Sequence, residues 1–213
     1  MRNIQLSVAL IVLCAWTMVT GFNCSMAVHD NRGEAFSDSS QATLNEKPDL
    51  SVTLLNAEQT LASMLNIAAV PLNEQIRNEY VLRRTGLAVE SSFELLNGPL
   101  LISSTSLAGE ICRAVISKEK PLAALQRFFF QGVDFNSGVD KITAAQFLNN
   151  VEILSTAIWS RKLSDEEIKN FSEFYTDFLT TLTPVTIKES AQTNALYLST
   201  CAVMFASFDS LTY

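Results

Sequence analysis

Apolar side chains recur at steps of three and four residues over almost the whole chain after Leu50, and this period most constrains the fold. Such spacing places apolar side chains on one face of an α-helix. Only 7 Gly and 5 Pro interrupt 213 residues, too few turn formers for a fold of many strands. Three stretches begin with capping-box sequences, Thr143-Ala-Ala-Gln146, Ser164-Asp-Glu-Glu167 and Thr186-Ile-Lys-Glu189. We therefore predict an all-α domain.

The pattern divides into about six or seven helices and no convincing strand. Asn56 caps a first helix to about Ala69, and Asn73 opens a second that runs to about Thr85. Pro99 begins a third to about Ser117, and Pro121 begins a short fourth through PLAALQRFFFQ. The capping boxes begin the last three. The expected buried faces are Leu61, Leu65 and Ala68; Leu101, Thr105, Ala108, Cys112 and Val115; Phe147, Val151, Leu154 and Ile158; Ile168, Phe171, Tyr175, Phe178 and Leu182; and Ala191, Asn194, Leu198, Cys201, Phe205 and Phe208.

The N-terminal segment has the layout of an export signal. Residues 1–27 place Arg2 before an uncharged apolar run and end in Ser25-Met26-Ala27, a small-x-small cleavage site. A retained membrane anchor is the alternative. Cys24 is a candidate for lipid attachment, as in a lipoprotein, although Phe22 and Asn23 depart from the usual signal. We expect an exported protein in the periplasm, the outer envelope or the medium.

Residues 28–50 are polar, rich in Ser and Asp, and lack a period, which predicts a flexible leader before a helical domain over 51–213. The single histidine, His29, lies in this leader. Residues 51–213 therefore lack the histidine that Ser-His-Asp or Cys-His catalysis and Cys/His zinc sites need. The net charge of -7 argues against nucleic-acid binding. We predict no catalytic residue, no cofactor and no metal ligand.

Carboxylates and one loop leave room for other chemistry. Glu90 with Glu94, or Glu166 with Glu167, could form an acid–base pair, although solvated acids are the simpler interpretation. The second pair also suits a helix N-terminus. Asp134, Asn136 and Asp140 hint at calcium, but the spacing to Gly138 and Ala145 fails the EF-hand pattern.

Two further features concern packing. The triplet Phe128-Phe129-Phe130 predicts core packing, with a partner-binding groove as the second interpretation. Cys112 and Cys201 occupy apolar helical faces in a chain expected to be exported, so we predict a disulfide between them. Two inert buried thiols are the alternative. Glu110 and Arg113 can pair on the outer side of the same helix.

Four segments carry a family resemblance: AEQTLASMLNIAAVP, SLAGEICRAVIS, FFFQGVDF and LYLSTCAVMFAS. In that order they resemble a two-cysteine helical domain of large exported proteins from marine and predatory proteobacteria, often found beside concanavalin-like lectin modules. Cys112 and Cys201 match its two cysteines. Gly109-Glu110-Ile111 and Gln131 depart from its pattern. The resemblance implies export and a helical architecture, and it implies no activity.

These observations favour a non-enzymatic module that binds or assembles with another protein or a surface polymer. Membrane contact is expected only through the signal segment or a lipid anchor. The alternative is a hydrolase of envelope carbohydrate or peptide that works through carboxylates. A cleft holding Glu90, Glu94 or Glu110, with two facing acids, would favour the hydrolase, whereas an exposed apolar patch on a convex body would favour the binding module.

Overall fold

The computed structural model describes residues 55–87 and 98–207, and the all-α prediction is confirmed there. These two ranges contain six α-helices and no strand: α1 (Ala57–Ala68), α2 (Glu74–Arg83), α3 (Gly98–Glu119), α4 (Ala144–Trp159), α5 (Asp165–Thr180) and α6 (Ser190–Phe205). Three short 3₁₀ turns, Ala124–Gln126, Val139–Lys141 and Thr186–Lys188, lie between them.

The helices are arranged around a central pair, α3 and α6, which make the most extensive contact in the described part of the chain. α1 and α2 pack on α3. α4 packs on α6, and α5 lies outside α4. Since α5 contacts the core through one side only, Tyr175 is its only buried residue, whereas α3 has ten.

The predicted disulfide is present and joins the central pair. The Cα atoms of Cys112 on α3 and Cys201 on α6 lie 6.0 Å apart, and both side chains are fully buried. Ala108, one turn before Cys112, is also fully buried and leaves room for the close approach of α6. The bond therefore holds together two helices that are 89 residues apart in sequence.

Local capping signals predicted the starts of α1, α4 and α5 correctly. The side chains of Asn56, Thr143 and Ser164 accept hydrogen bonds from backbone N–H groups of the first turns of α1, α4 and α5. In each case the N3 side chain, Gln59, Gln146 or Glu167, accepts from the cap residue's N–H in return. These reciprocal bonds satisfy donors that every helix N-terminus would otherwise leave unpaired.

The expected buried faces were correct for α4 and partly wrong for α1, α3, α5 and α6; on α5 only Tyr175 of the expected face is buried, and Ile168 is exposed. Phe147, Val151, Leu154 and Ile158 are all buried. On α1 the buried residues are Thr60, Met64 and Ala68, one position away from the predicted Leu61 and Leu65. On α3, Leu101 is 51% exposed and its neighbour Leu100 is buried instead. On α6, Ala191 is exposed while Leu196 and Tyr197 are buried.

The physical reason for the errors on α3 and α6 is the central position of these two helices. Each is contacted by more than one helix, so its buried surface is too wide to be read as one apolar line. Polar residues also enter the buried face when the helix itself satisfies them. Ser104 is fully buried because its hydroxyl donates to the Leu100 carbonyl at 2.8 Å.

Two predicted elements are wrong. The segment from Pro121 forms no α-helix and contains only the 3₁₀ turn Ala124–Gln126. The capping box predicted at Thr186 does not form, because the Thr186 hydroxyl instead accepts the Thr183 N–H and α6 begins at Ser190, with no side-chain cap from Glu189. In both places side-chain hydrogen bonds to the backbone replace the helical ones.

α3 is long and apolar enough to cross a membrane by length and composition alone. Half of its apolar window is buried inside the fold, and it carries the disulfide to α6. It is therefore the core helix of the domain.

Several expectations lie outside the described residues. These are the signal at 1–27 with Cys24, the leader at 28–50 with His29, the pair Glu90 and Glu94, and Phe208 at the end of the last apolar face.

Candidate functional site

A buried carboxylate organises the chain that follows α3. Glu119, the last residue of α3, is 4% exposed, although the sequence pattern gave no sign that it would be buried. Its two oxygens accept hydrogen bonds from the consecutive N–H groups of Phe128, Phe129 and Phe130 at 3.0 to 3.2 Å. Consecutive backbone donors that converge on an anion offset the cost of burying it.

A buried guanidinium completes this arrangement. Arg127 is 8% exposed and donates from Nε to the Leu122 carbonyl at 3.0 Å and from Nη2 to the Lys120 carbonyl at 3.1 Å. Its third nitrogen donates to the carbonyl of Val133, and the group lies over the Phe135 ring, 5.5 Å from the centroid. Arg127 therefore closes the chain on both sides of Phe128 into one hydrogen-bonded loop.

The loop divides the phenylalanine triplet between the core and the solvent. Phe129 and Phe130 are buried, and Phe130 contacts Phe135 and Tyr197 edge to face. Phe128, in contrast, is 63% exposed. The prediction of core packing is thus confirmed for two of the three rings.

Phe128 belongs to an exposed apolar set. Leu122 is 37% exposed and Leu125 is 94% exposed. The three residues are spaced by three along turns closed by hydrogen bonds from Leu122 N–H to Glu119 O and from Gln126 N–H to Ala123 O. All three exposed apolar side chains therefore fall within seven consecutive residues of this loop. We call Leu122, Leu125 and Phe128 the apolar corner.

The rest of the loop is fixed to α6. Thr193 donates from its hydroxyl to the Ser137 carbonyl at 2.9 Å. Gly138 lies so close to the turn before α6 that an added Cβ would come within 2.5 Å of the Ile187 carbonyl oxygen. Phe135 and Val139 are fully buried. The loop is held at both ends, and its exposed side chains rest on a fixed backbone.

A shallow groove of about 420 Å³ lies beside the end of α3. Its lining residues come from the segment between α1 and α2, from the first turn of α2 and from α3: Val70, Pro71, Asn73, Gln75, Glu110, Arg113, Ala114, Ser117 and Lys118. Lys118 donates from Nζ to the Ala69 carbonyl at 2.7 Å, which joins the two sides. Leu122 follows Lys118 by four residues, beyond the end of α3 at Glu119, so the groove and the apolar corner are close along the chain.

Of the acids named from the sequence, Glu166 and Glu167 do not line this groove, and Glu90 and Glu94 lie outside the described residues. Glu110 is the one carboxylate among the described lining residues, and it pairs with Arg113 at 3.2 Å as expected. Glu167 caps α5 and pairs with Arg161 at 2.7 Å. Hydrogen bonding from Arg161 lowers the pKa of Glu167 to about 2, so this carboxylate is not suited to act as a general acid.

The calcium-like loop is also explained by local hydrogen bonds. Asp134 accepts the Asn136 N–H at 3.0 Å through its carboxylate, which closes a turn. Within the ranges that the structure describes, no group of three or more His, Cys, Asp or Glu side chains is placed to hold a metal ion.

Comparison of the chain with protein-family models, with curated proteins and with solved structures finds no match. The resemblance to the two-cysteine helical domain therefore stays a prediction. The geometry of the apolar corner and the groove is the basis for a functional proposal.

Proposed function

We propose that the chain is an exported, non-enzymatic binding module of the cell envelope or the medium, and that it docks a protein partner through the apolar corner. Export is inferred from the N-terminal pattern, and a disulfide between core helices is in keeping with an oxidising compartment. The proposal includes assembly as well as binding. A surface polymer is the other class of partner expected from the sequence.

One observation carries the proposal: Leu125 and Phe128 are 94% and 63% exposed on a loop whose backbone is held by two buried charged residues. Exposed apolar side chains are common singly, but three within seven residues of a loop with a fixed backbone resemble the central anchors of protein interfaces. Ordering a flexible loop on binding would oppose association, and a braced loop avoids much of that cost. Core packing alone gives no reason to present these side chains to water.

The groove supports binding better than hydrolysis. A carboxylate hydrolase needs two acids that act on one bond from opposite sides. Glu110 is the acid that the described lining offers, and its partner is the guanidinium of Arg113. An apolar floor that includes Val70 and Ala114, with amides and charges at its rim, suits an extended segment of a partner.

Site-specific photo-crosslinking in the cells that make the protein tests the proposal. A benzophenone side chain placed at Leu125 should give a discrete higher-mass adduct, because this position would lie in the contact. The matched control is Val81 on α2, which is also apolar and is 58% exposed. An adduct at Leu125 with none at Val81 supports the corner as the docking site. Equal yields at both positions, or none at either, would contradict it.

A further inference from the structure

One segment of the loop after α3 lies entirely at the surface. Residues 121–126 are all exposed, and they form the longest unbroken run of exposed residues in the two described ranges. Buried residues stand on either side of this run, with Glu119 before it at 4% exposed and Arg127 after it at 8%. Leu125, near its end, is 94% exposed. We call residues 121–126 the exposed segment.

The exposed segment is closed by a short turn. Gln126 donates from its N–H to the Ala123 carbonyl at 2.8 Å. Water competes for such a hydrogen bond at the surface, so this turn opens more readily than a helix packed on the core. Arg127 holds the carbonyls of Lys120 and Leu122 through its guanidinium. The first half of the segment is therefore held in place, and local opening is expected in the second half.

A cut in the exposed segment would divide the six helices into two halves, α1–α3 and α4–α6. The disulfide joins these halves, because Cys112 precedes the segment and Cys201 follows it. Both cysteines are fully buried. α3 and α6 also make the most extensive contact in the described part of the chain. Neither the bond nor this contact involves the exposed segment, so both survive a cut there.

The chain after the segment is held independently as well. The Glu119 carboxylate accepts hydrogen bonds from the N–H groups of Phe129 and Phe130, which fixes this part of the loop to the end of α3. Phe130 is fully buried. The new chain ends at a cut would therefore extend from a folded base on both sides.

We propose that the peptide bond between Leu125 and Gln126 is a site of endoproteolytic cleavage, and that the cut domain persists as two chains joined by the Cys112–Cys201 disulfide. Hydrolysis adds one water across the bond. The hydroxyl joins the carbonyl carbon of Leu125 and the remaining hydrogen joins the nitrogen of Gln126, which leaves a new carboxylate and a new amino group. The inference goes beyond the docking function and does not depend on it, because it rests on exposure and on the position of the disulfide.

The side chains around the bond indicate which class of endoprotease cleaves it. Leu125 is 94% exposed and Leu122 37%, so Leu125 is the more accessible apolar side chain for a specificity pocket. Enzymes that cleave after basic residues find no accessible site at this segment. Lys120 is followed by Pro121, whose ring replaces the N–H hydrogen of the bond to be cut. Arg127 is buried and donates to three backbone carbonyls.

Brief digestion of the purified, folded protein with chymotrypsin, which cleaves after large apolar side chains, tests the proposal. Among residues 98–207 the first cut should follow Leu125, and trypsin should leave the exposed segment intact. On a denaturing gel without reductant the two pieces should run as one species. With reductant they should separate into two chains, one of which begins at Gln126. A first cut elsewhere in 98–207, or pieces that separate without reductant, would overturn the proposal.

Leu125→Asp and Leu82→Asp form a matched pair for this digestion, since Leu82 on α2 is also apolar and is 65% exposed. Leu125→Asp should slow the cut at least tenfold, because a pocket for an apolar side chain rejects a charged one. Its melting temperature should not change, because an exposed side chain contributes little to stability. Leu82→Asp should leave the rate of the cut unchanged. Equal rates in the two variants would refute Leu125 as the recognised residue.

Protein recovered from the cells that make it tests whether the cut occurs there. Mass analysis should find a chain that begins at Gln126 and is released only by reductant. After the same cut, Cys112→Ala with Cys201→Ala should lose its helical circular dichroism signal at a lower temperature than the cut protein that keeps the bond. Recovery of the uncut chain alone, or equal stability of the two cut proteins, would overturn the proposal.

Discussion

At the scale of single residues, two glycines occupy opposite environments. Gly138 sits against the backbone of Ile187 and Lys188, and its φ of -73° is open to any residue, so space alone demands glycine there. Gly109 lies inside α3, and an added Cβ would meet nothing within 4 Å. A glycine inside a helix costs stability because the unfolded chain has more freedom to lose.

The two Gly→Ala substitutions should therefore change the free energy of unfolding in opposite directions. Gly138→Ala should lower the free energy of unfolding by about 1–3 kcal/mol, the usual cost of overpacking. Gly109→Ala should raise it by about 0.5–1 kcal/mol. Urea unfolding of both variants beside the unmodified protein measures the difference. Equal destabilisation by both would contradict an unobstructed position for a Cβ at Gly109.

Glu167 gives stability a dependence on pH. Hydrogen bonding from Arg161 lowers its pKa from 4.5 to about 2, so the folded state favours the charged form. A lowered carboxylate pKa contributes stability that is complete above the unfolded value of 4.5 and is lost as the pH falls towards 2. Glu167→Gln keeps the capping box and removes the charge.

We expect Glu167→Gln to cost about 1 kcal/mol at pH 7, a modest figure because the pair is partly exposed and screened by solvent. Unfolding at pH 7, 4 and 2 should show the two proteins converging as the pH falls. Glu166→Gln, its exposed neighbour in the same turn, is the control and should have a smaller effect. A difference that stays constant down to pH 2 would assign the effect to packing.

At the scale of elements, the sequence predicted what is decided locally. Capping boxes located the starts of α4 and α5, and the apolar spacing of α4 was correct at all four positions. The cysteine positions predicted that α3 and α6 are neighbours. These signals involve residues within a few positions of one another, or a covalent bond of known geometry.

The candidate site could not be predicted because distant groups build it. Glu119 accepts hydrogen bonds from N–H groups about ten residues further along the chain. A helical period in the sequence does not indicate such a contact. The segment from Pro121 was predicted as a helix because proline suits a first helical turn. The buried Arg127 and Glu119 instead satisfy the backbone in a loop. The unusual run of three Phe was the one sequence signal that singled out this segment.

The disulfide should stabilise the central pair strongly and take no part in binding. It closes 89 residues, which corresponds to about 4–5 kcal/mol in the chain-entropy treatment. Cys112→Ala with Cys201→Ala should lower the melting temperature while the adduct from Leu125 still forms below it. Peptide mapping without reductant should show the bond in the unmodified protein. A free thiol at Cys112 would contradict the bond, and a folded double variant that loses the adduct would contradict its passive role.

At the scale of the whole molecule, the aromatic core stabilises the fold, and the loop after α3 presents apolar side chains to solvent on a hydrogen-bonded backbone. The aromatic residues Phe130, Phe135, Phe147 and Tyr197 contact one another at the centre, where burial also raises the pKa of Tyr197. Glu119 and Arg127 connect this centre to the apolar corner. Phe129 and Phe130 are buried in the core, whereas Phe128 of the same triplet is exposed for contact.

Alanine substitution at Phe128 and at Phe130 tests that separation most directly, with melting temperature and crosslinking from Leu125 measured on the same samples. We predict that Phe128→Ala lowers the melting temperature by no more than about 4 °C, the cost of a contact with Phe129, and reduces the adduct at least tenfold. Phe130→Ala should cost about 3–5 kcal/mol, as for any ring removed from a core. An adduct that survives Phe128→Ala, or a loss of stability as large as that of Phe130→Ala, would contradict the apolar corner as a docking surface.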